Sequence, residues 1–277
     1  MKRALLVGLL VLGWVGSAVP ASSTTASVSS PSIAPAQENA TTDSDATDLP
    51  PGVNESGITD PLALVEAHQR TLENVSYTLS TSMTYRRPNG TLVGQGYTVT
   101  QVAPGANSYY AVSTQTVEND TRWFVGERYD LAVWANETDS VSARKVPDEE
   151  TTYHWTSRER AGFEPTSQWE LLYAAFGDGG GEVVGQVERD GTTLTKIVST
   201  PSDEETPVRL QYTFTVLVDS QGVVHSMQTL HRTIFEDRPV VVSRTIQVSE
   251  MGNTTVERPA WYQRAVENKT TSEGGRT

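Results

Sequence analysis

The chain has 277 residues, a net charge of −13, a pI near 4.8 and no cysteine. An acidic surface repels phosphates and anionic headgroups, which excludes the usual electrostatic route to nucleic acid. The missing thiols exclude disulfide staples, thiolate metal sites and cysteine nucleophiles. Only four lysines accompany 17 arginines. An acidic, lysine-poor surface points to adaptation to high salt, where counterions screen self-repulsion.

The N-terminus carries Lys2 and Arg3, then the apolar run Ala4–Val15, then small residues at Gly16, Ser17, Ala18 and Ala21. This order is that of a secretory signal over residues 1–21, cut after Ala18 or Ala21. The run falls short of the roughly 20 apolar residues a spanning helix needs. Residues 22–57 are rich in Ser, Thr, Ala, Pro and Asp and predict a disordered stalk. Of nine asparagines, eight open an Asn-x-Ser/Thr triplet: Asn39, Asn54, Asn74, Asn89, Asn119, Asn136, Asn253 and Asn268. Glycan addition needs this triplet on an exported, accessible segment. The bland alternative is turn chemistry, since all three residue types favour turns. The expected address is extracellular or at the cell surface.

A folded domain is expected over residues 58–265, with a polar tail at 266–277. Asp60 and Pro61 suit the start of a helix, and Leu62, Leu64, Val65, His68 and Leu72 give it an apolar stripe as far as Asn74. The period then switches. Tyr77, Leu79, Met83 and Tyr85 alternate with Thr and Ser, which predicts a half-buried strand. Pro88-Asn89-Gly90 turns it into a second strand holding Tyr97 and Val99. Further strands are expected near 107–117, 121–126, 129–136 and 140–146.

A second helix follows mid-chain. Ser167 and Glu170 read as a capping box, and Trp169, Leu172, Tyr173 and Phe176 occupy one face. Glycines from Gly177 end it. Strands return at 182–189, 192–199, 207–218, 223–235 and 240–250, with turns at Asp190-Gly191, Ser220-Gln221-Gly222 and Asp237-Arg238-Pro239. The fold class is therefore mainly β (α+β). It is a curved antiparallel, half-barrel-like sheet with two helices packed on its concave face.

Candidate chemistry is sparse. His225 and His231 lie about 20 Å apart on one strand, too far to share a metal ion. His68 and His154 have no partner at ligand spacing. Asp148-Glu149-Glu150 and Asp203-Glu204-Glu205 lack the alternation of a calcium loop and read as solvated turns. Asp178-Gly179-Gly180-Gly181 lacks the Lys-Ser/Thr of a phosphate loop, and there is no Gly-x-Ser-x-Gly elbow. No catalytic residue, metal or cofactor is expected. Aromatic residues are usually core. On a half-barrel, Trp123, Trp134, Trp155, Trp169 and Phe176 would instead line an apolar groove for a lipid-like ligand.

Three segments carry a resemblance: Ala67–Arg70 with Ser76–Leu79, the run Gln168–Phe176, and Val240–Val248 with Pro259–Tyr262. They resemble a family of haloarchaeal surface lipoproteins of uncharacterised function. More distantly, the layout is similar to the LolA-like half-barrel lipoprotein carriers. The resemblance implies a non-enzymatic surface binding protein that holds a hydrophobic ligand, with envelope or membrane association. The chain departs from those relatives in lacking the lipobox cysteine that usually carries their lipid, so the resemblance does not extend to lipid anchoring. A structural or interaction role in the envelope is the alternative, and a hydrolase a more distant one.

Overall fold

The computed structural model describes residues 48–117, 128–158, 168–177, 180–199, 213–235 and 238–274. The leader, most of the stalk, the 121–126 strand, the Ser202–Thr206 loop, Asn39, Asn119 and Trp123 lie outside these residues.

Described structure begins at Asp48, ahead of the expected edge at 58. A short hairpin of β1 (Val53–Asn54) and β2 (Gly57–Ile58) replaces the end of the stalk. Ile58 is buried in the main core, which gives this stretch the apolar anchor that composition alone did not suggest. Gly57, at φ +126°, passes so close to the Gly181 carbonyl that a Cβ would overlap it.

Helix α1 (Pro61–Glu73) starts as its sequence dictates. The Asp60 carboxylate accepts from the Ala63 amide at 3.0 Å, and Pro61 occupies the first turn. Leu64, Val65, His68 and Leu72 are buried, whereas Leu62 is exposed. The buried stripe is thus narrower than the apolar pattern. Helix α2 (Trp169–Phe176) begins at Gln168, whose side chain makes no capping bond; Ser167 lies outside the described residues. Its buried side chains are Leu172, Ala175 and Phe176, while Tyr173 faces solvent.

Among the described residues, the remaining strands form one antiparallel sheet of 11 strands. They are β3 (Tyr77–Arg86), β4 (Leu92–Val102), β5 (Tyr109–Val117), β6 (Tyr129–Ala135), β7 (Asp139–Lys145) and β8 (Thr152–Ser157) before α2. After it come β9 (Glu182–Arg189), β10 (Thr192–Val198), β11 (Thr213–Val218), β12 (Val224–Phe235) and β13 (Arg238–Ser249). The strand at β8 had no expectation attached to it. The order is β8-β7-β6-β5-β4-β3-β13-β12-β11-β10-β9, two meanders joined where β3 pairs with β13. The edge strands β8 and β9 do not pair with each other, so the sheet curves without closing into a barrel.

Alternation sorts the side chains onto two faces. The concave face carries Tyr77, Leu79, Val102, Tyr109, Val133, Phe214, Val216, Val218, Met227, Ile246 and Val248, packed against buried residues of α1 and α2. The outer face is covered at one end by a third helix. Where a polar tail was expected from residue 266, α3 runs from Tyr262 to Gly274. Ala265 of α3 is fully buried against Trp134 and Val141 of the sheet. That contact explains why a polar stretch is helical, because helices of this length draw their stability from packing.

Candidate functional site

The residues expected to share one groove are not brought together. Phe176 is only 1% exposed and packs edge-on against Phe214 with ring centres 5.2 Å apart. It fills the concave core and cannot line an opening. Trp169 stacks on Tyr173 at 5.1 Å, beside the same core. Trp134 and Trp155 sit on the opposite, outer face under α3, each edge-on to Tyr262. The Trp155 indole N–H donates to the Ala265 carbonyl at 3.1 Å. The physical reason is strand parity: Trp134 alternates with Val133 and Ala135, and these two take the inner face.

The helices cover only one end of the concave face. Along β3, Tyr77 and Leu79 belong to the helix-packed core, whereas Met83 and Tyr85 belong to a separate cluster with Val93, Val240, Val242 and Phe235. Among the described residues, no helical side chain belongs to that second cluster. Arg244 stands within it, paired in register with Met83 on β3 and Thr229 on β12. Its Nη2 and the Tyr85 hydroxyl both donate to the Met83 sulfur at 3.2 Å. Burial raises the Tyr85 phenol, and the Arg244 charge pulls it partly back. His231 is half-buried here. Burial first, and then the Arg244 charge, depress its pKa, so the imidazole stays neutral at pH 7. Thr229 is buried, and its hydroxyl has no partner among the described residues.

The other histidines are structural or exposed. The buried His68 Nδ1 accepts from the Val224 amide at 3.1 Å, tying α1 to β12. His225 bonds Asp219 at 2.8 Å and is not near His231, six positions along the strand. Burial alone would raise the Asp219 carboxyl. The His225 bond and the amides of Val223 and Gln221 outweigh it and hold the group below the usual carboxylate range. His154 is exposed. Asp148 and Glu149 are exposed turn residues, whereas Glu150 is buried, and burial raises its carboxyl. Among the described residues, no three His, Asp or Glu side chains converge as a metal site would require.

Asn54, Asn74, Asn89, Asn253 and Asn268 are exposed, and Asn136 is half-buried. Turn chemistry is present at three of them. Asn54, Asn89 and Asn136 each accept the amide of the residue two positions on. Asn74 ends α1, its side-chain nitrogen donating to the Arg70 carbonyl at 2.7 Å.

A second concavity lies on the outer face. A cleft of about 680 Å³ opens between the β3–β5 strands and the chain that runs from β13 to α3. Sequence reading attached no role to most of its lining, because Gln101, Tyr110, Glu257 and Arg258 belong to no motif. Nor did it single out Arg244, since a lone arginine in a strand reads as a solvent-facing residue.

No protein-family model matches the chain, and no curated protein sequence matches it. Solved structures do. A DUF1329 family protein from Desulfovibrio piger is 12% identical, with 72% of this chain and 93% of that one covered and a TM-score of 0.26. MucB, solved in complex with MucA, is 14% identical over 71% of this chain and 56% of its own, with a TM-score of 0.24. A β-barrel-like DUF1849 protein from Brucella abortus is 12% identical over 65% of this chain and 98% of its own, with a TM-score of 0.23.

Proposed function

We propose that the chain is a non-enzymatic binding protein of the cell surface whose concave face holds a lipid-like, amphipathic ligand. The apolar part of the ligand lies against Met83, Tyr85 and Phe235, and its acidic end meets Arg244. The observation that carries this reading is the position of Arg244. It places a permanent cation on the concave face amid apolar side chains, beyond the cover of α1 and α2. A half-buried guanidinium attracts an anion several-fold more strongly than one in bulk water, because the local dielectric is lower. His231 beside it is neutral and adds no competing charge. The surface address is supported by the N-terminal leader pattern and the density of Asn-x-Ser/Thr triplets.

Native mass spectrometry and lipid extraction on protein purified from its own host test this reading. A releasable amphipathic acid is expected on the wild type, at an occupancy at least about fivefold lower in Arg244→Met, an exchange that keeps the volume and removes the charge. A folded wild-type protein that releases nothing, or equal occupancy in the variant, would sink it.

A further inference from the structure

We infer that the outer-face cleft is a saccharide-binding site, separate from the concave face and independent of the reading above. Its floor is a single cross-strand row. Thr78 pairs with Gln101, and Gln101 with Tyr110, so three neighbouring strands present a hydroxyl, an amide and a phenol side by side. Its wall is the strap of residues 250–261, which contributes Asn253, Glu257, Arg258 and Trp261.

The wall is held before any ligand arrives. The Gly252 amide donates to the Ser76 carbonyl at 2.8 Å, and the Thr254 and Thr78 hydroxyls share a bond of 3.0 Å. Arg258 is clamped over two rings, 5.2 Å from Trp134 and 4.6 Å from Tyr262. Trp261 stacks on Tyr153 at 6.0 Å, and its buried indole N–H has no acceptor among the described residues. Preorganised walls of this kind lower the entropic cost of binding.

The chemistry of the lining selects the ligand. A volume of about 680 Å³ suits a sugar unit or two. Amides, hydroxyls, carboxylates and one guanidinium offer both donors and acceptors at short spacing, the complement of a polyol. Glu250 and Glu257 flank Arg258 in the lining, so the cleft does not favour a simple anion. Aromatic edges and faces take the C–H surfaces of a sugar ring.

Two sources can supply that saccharide: an external glycan, or the chain's own, since the triplet Asn253-Thr254-Thr255 lies wholly in the lining. The experiment separates them. Full-length mature protein from a host that does not glycosylate is applied to an array of neutral and acidic oligosaccharides, and the hits are titrated by calorimetry. Binding to a subset of the array is expected, weakened at least tenfold by Trp261→Ala and by Gln101→Ala. Gln101 is half-exposed, so its replacement leaves the melting curve unchanged even where loss of Trp261 disturbs the fold. Protein from its own host that ignores the array until Thr255→Val removes the triplet would identify the Asn253-linked glycan as the occupant of the same site. A folded, unglycosylated protein that binds no oligosaccharide overturns the inference, and so does binding that Gln101→Ala leaves untouched.

Discussion

The two faces of the sheet are packed by different means. On the concave face, Leu64, Val65, Val102, Ile197, Val216 and Val218 are entirely excluded from solvent and interdigitate between sheet and helices. Outside, Trp134, Tyr153, Trp155, Trp261 and Tyr262 meet ring to ring at 5.0 to 6.0 Å, with Arg258 and Lys269 laid over them. Aliphatic chains can fill a volume completely because they carry no polar atom to satisfy. Indoles, phenols and guanidinium groups bring a polar tip that needs a partner, so the same burial leaves a face that is part wet. The inner packing under the helices therefore closes a core, while the outer packing borders a cleft.

The sharpest way to break this contrast is at the inner core. Phe176→Ala removes a side chain that is 1% exposed. It is expected to cost about 3–5 kcal/mol, because the surroundings of a large buried ring cannot fully collapse. Urea titration followed by circular dichroism measures it as one cooperative loss.

A smaller and more local effect is expected outside. Tyr262→Ala removes the ring that touches both Trp134 and Trp155. About 2 kcal/mol is at stake for a half-buried aromatic contact, mostly as undocking of α3. Hydrogen exchange should show α3 amides losing protection while those of β3 and β13 keep theirs. Equal loss in both places would mean that the two packings form one cooperative unit.

The smallest effect tests the polar pin at the end of the inner core. Asp219 accepts from Gln221, Val223 and His225, and its folded pKa is depressed. A depressed carboxylate contributes stability above its unfolded pKa of about 3.9, and that stability is lost as pH falls through the folded value. Asp219→Asn should cost about 1 kcal/mol at pH 7. The gap from wild type should narrow as melts are taken from pH 5 toward pH 2. A gap that is constant across this range would assign the loss to turn geometry rather than to the charge.

The strand pattern was legible from the sequence because its period is local. Alternation in residues 77–85, the Asn89-Gly90 and Asp190-Gly191 turns and the Asp60-Pro61 helix start all appear where expected. Each depends only on residues adjacent in the chain, and the curved antiparallel sheet with helices on its concave face follows from them. What alternation cannot supply is which face of a given strand turns inward, and that depends on pairing between distant segments. Val133 rather than Trp134 took the inner face, because β5 and β7 flank β6 in a register that places Ala111 and Ser142 beside Val133. That register took Trp134 and Trp155 away from the expected groove, while Phe176 was drawn into the core.

The third helix and both candidate sites lie equally beyond local reading. The 262–274 stretch is too polar to predict as a helix, and it gains its structure only where Trp134 and Val141 receive Ala265. Arg244 acquires meaning only beside Met83 and Tyr85, 161 and 159 positions away. Gln101 and Trp261 share a cleft only because the last strand returns to pair with the first of the sheet. Sequence by itself determined the periods, turns and charge of this protein. Tertiary structure decided which chemistry those periods bring together, because contacts between remote segments are set by the packing of the whole sheet.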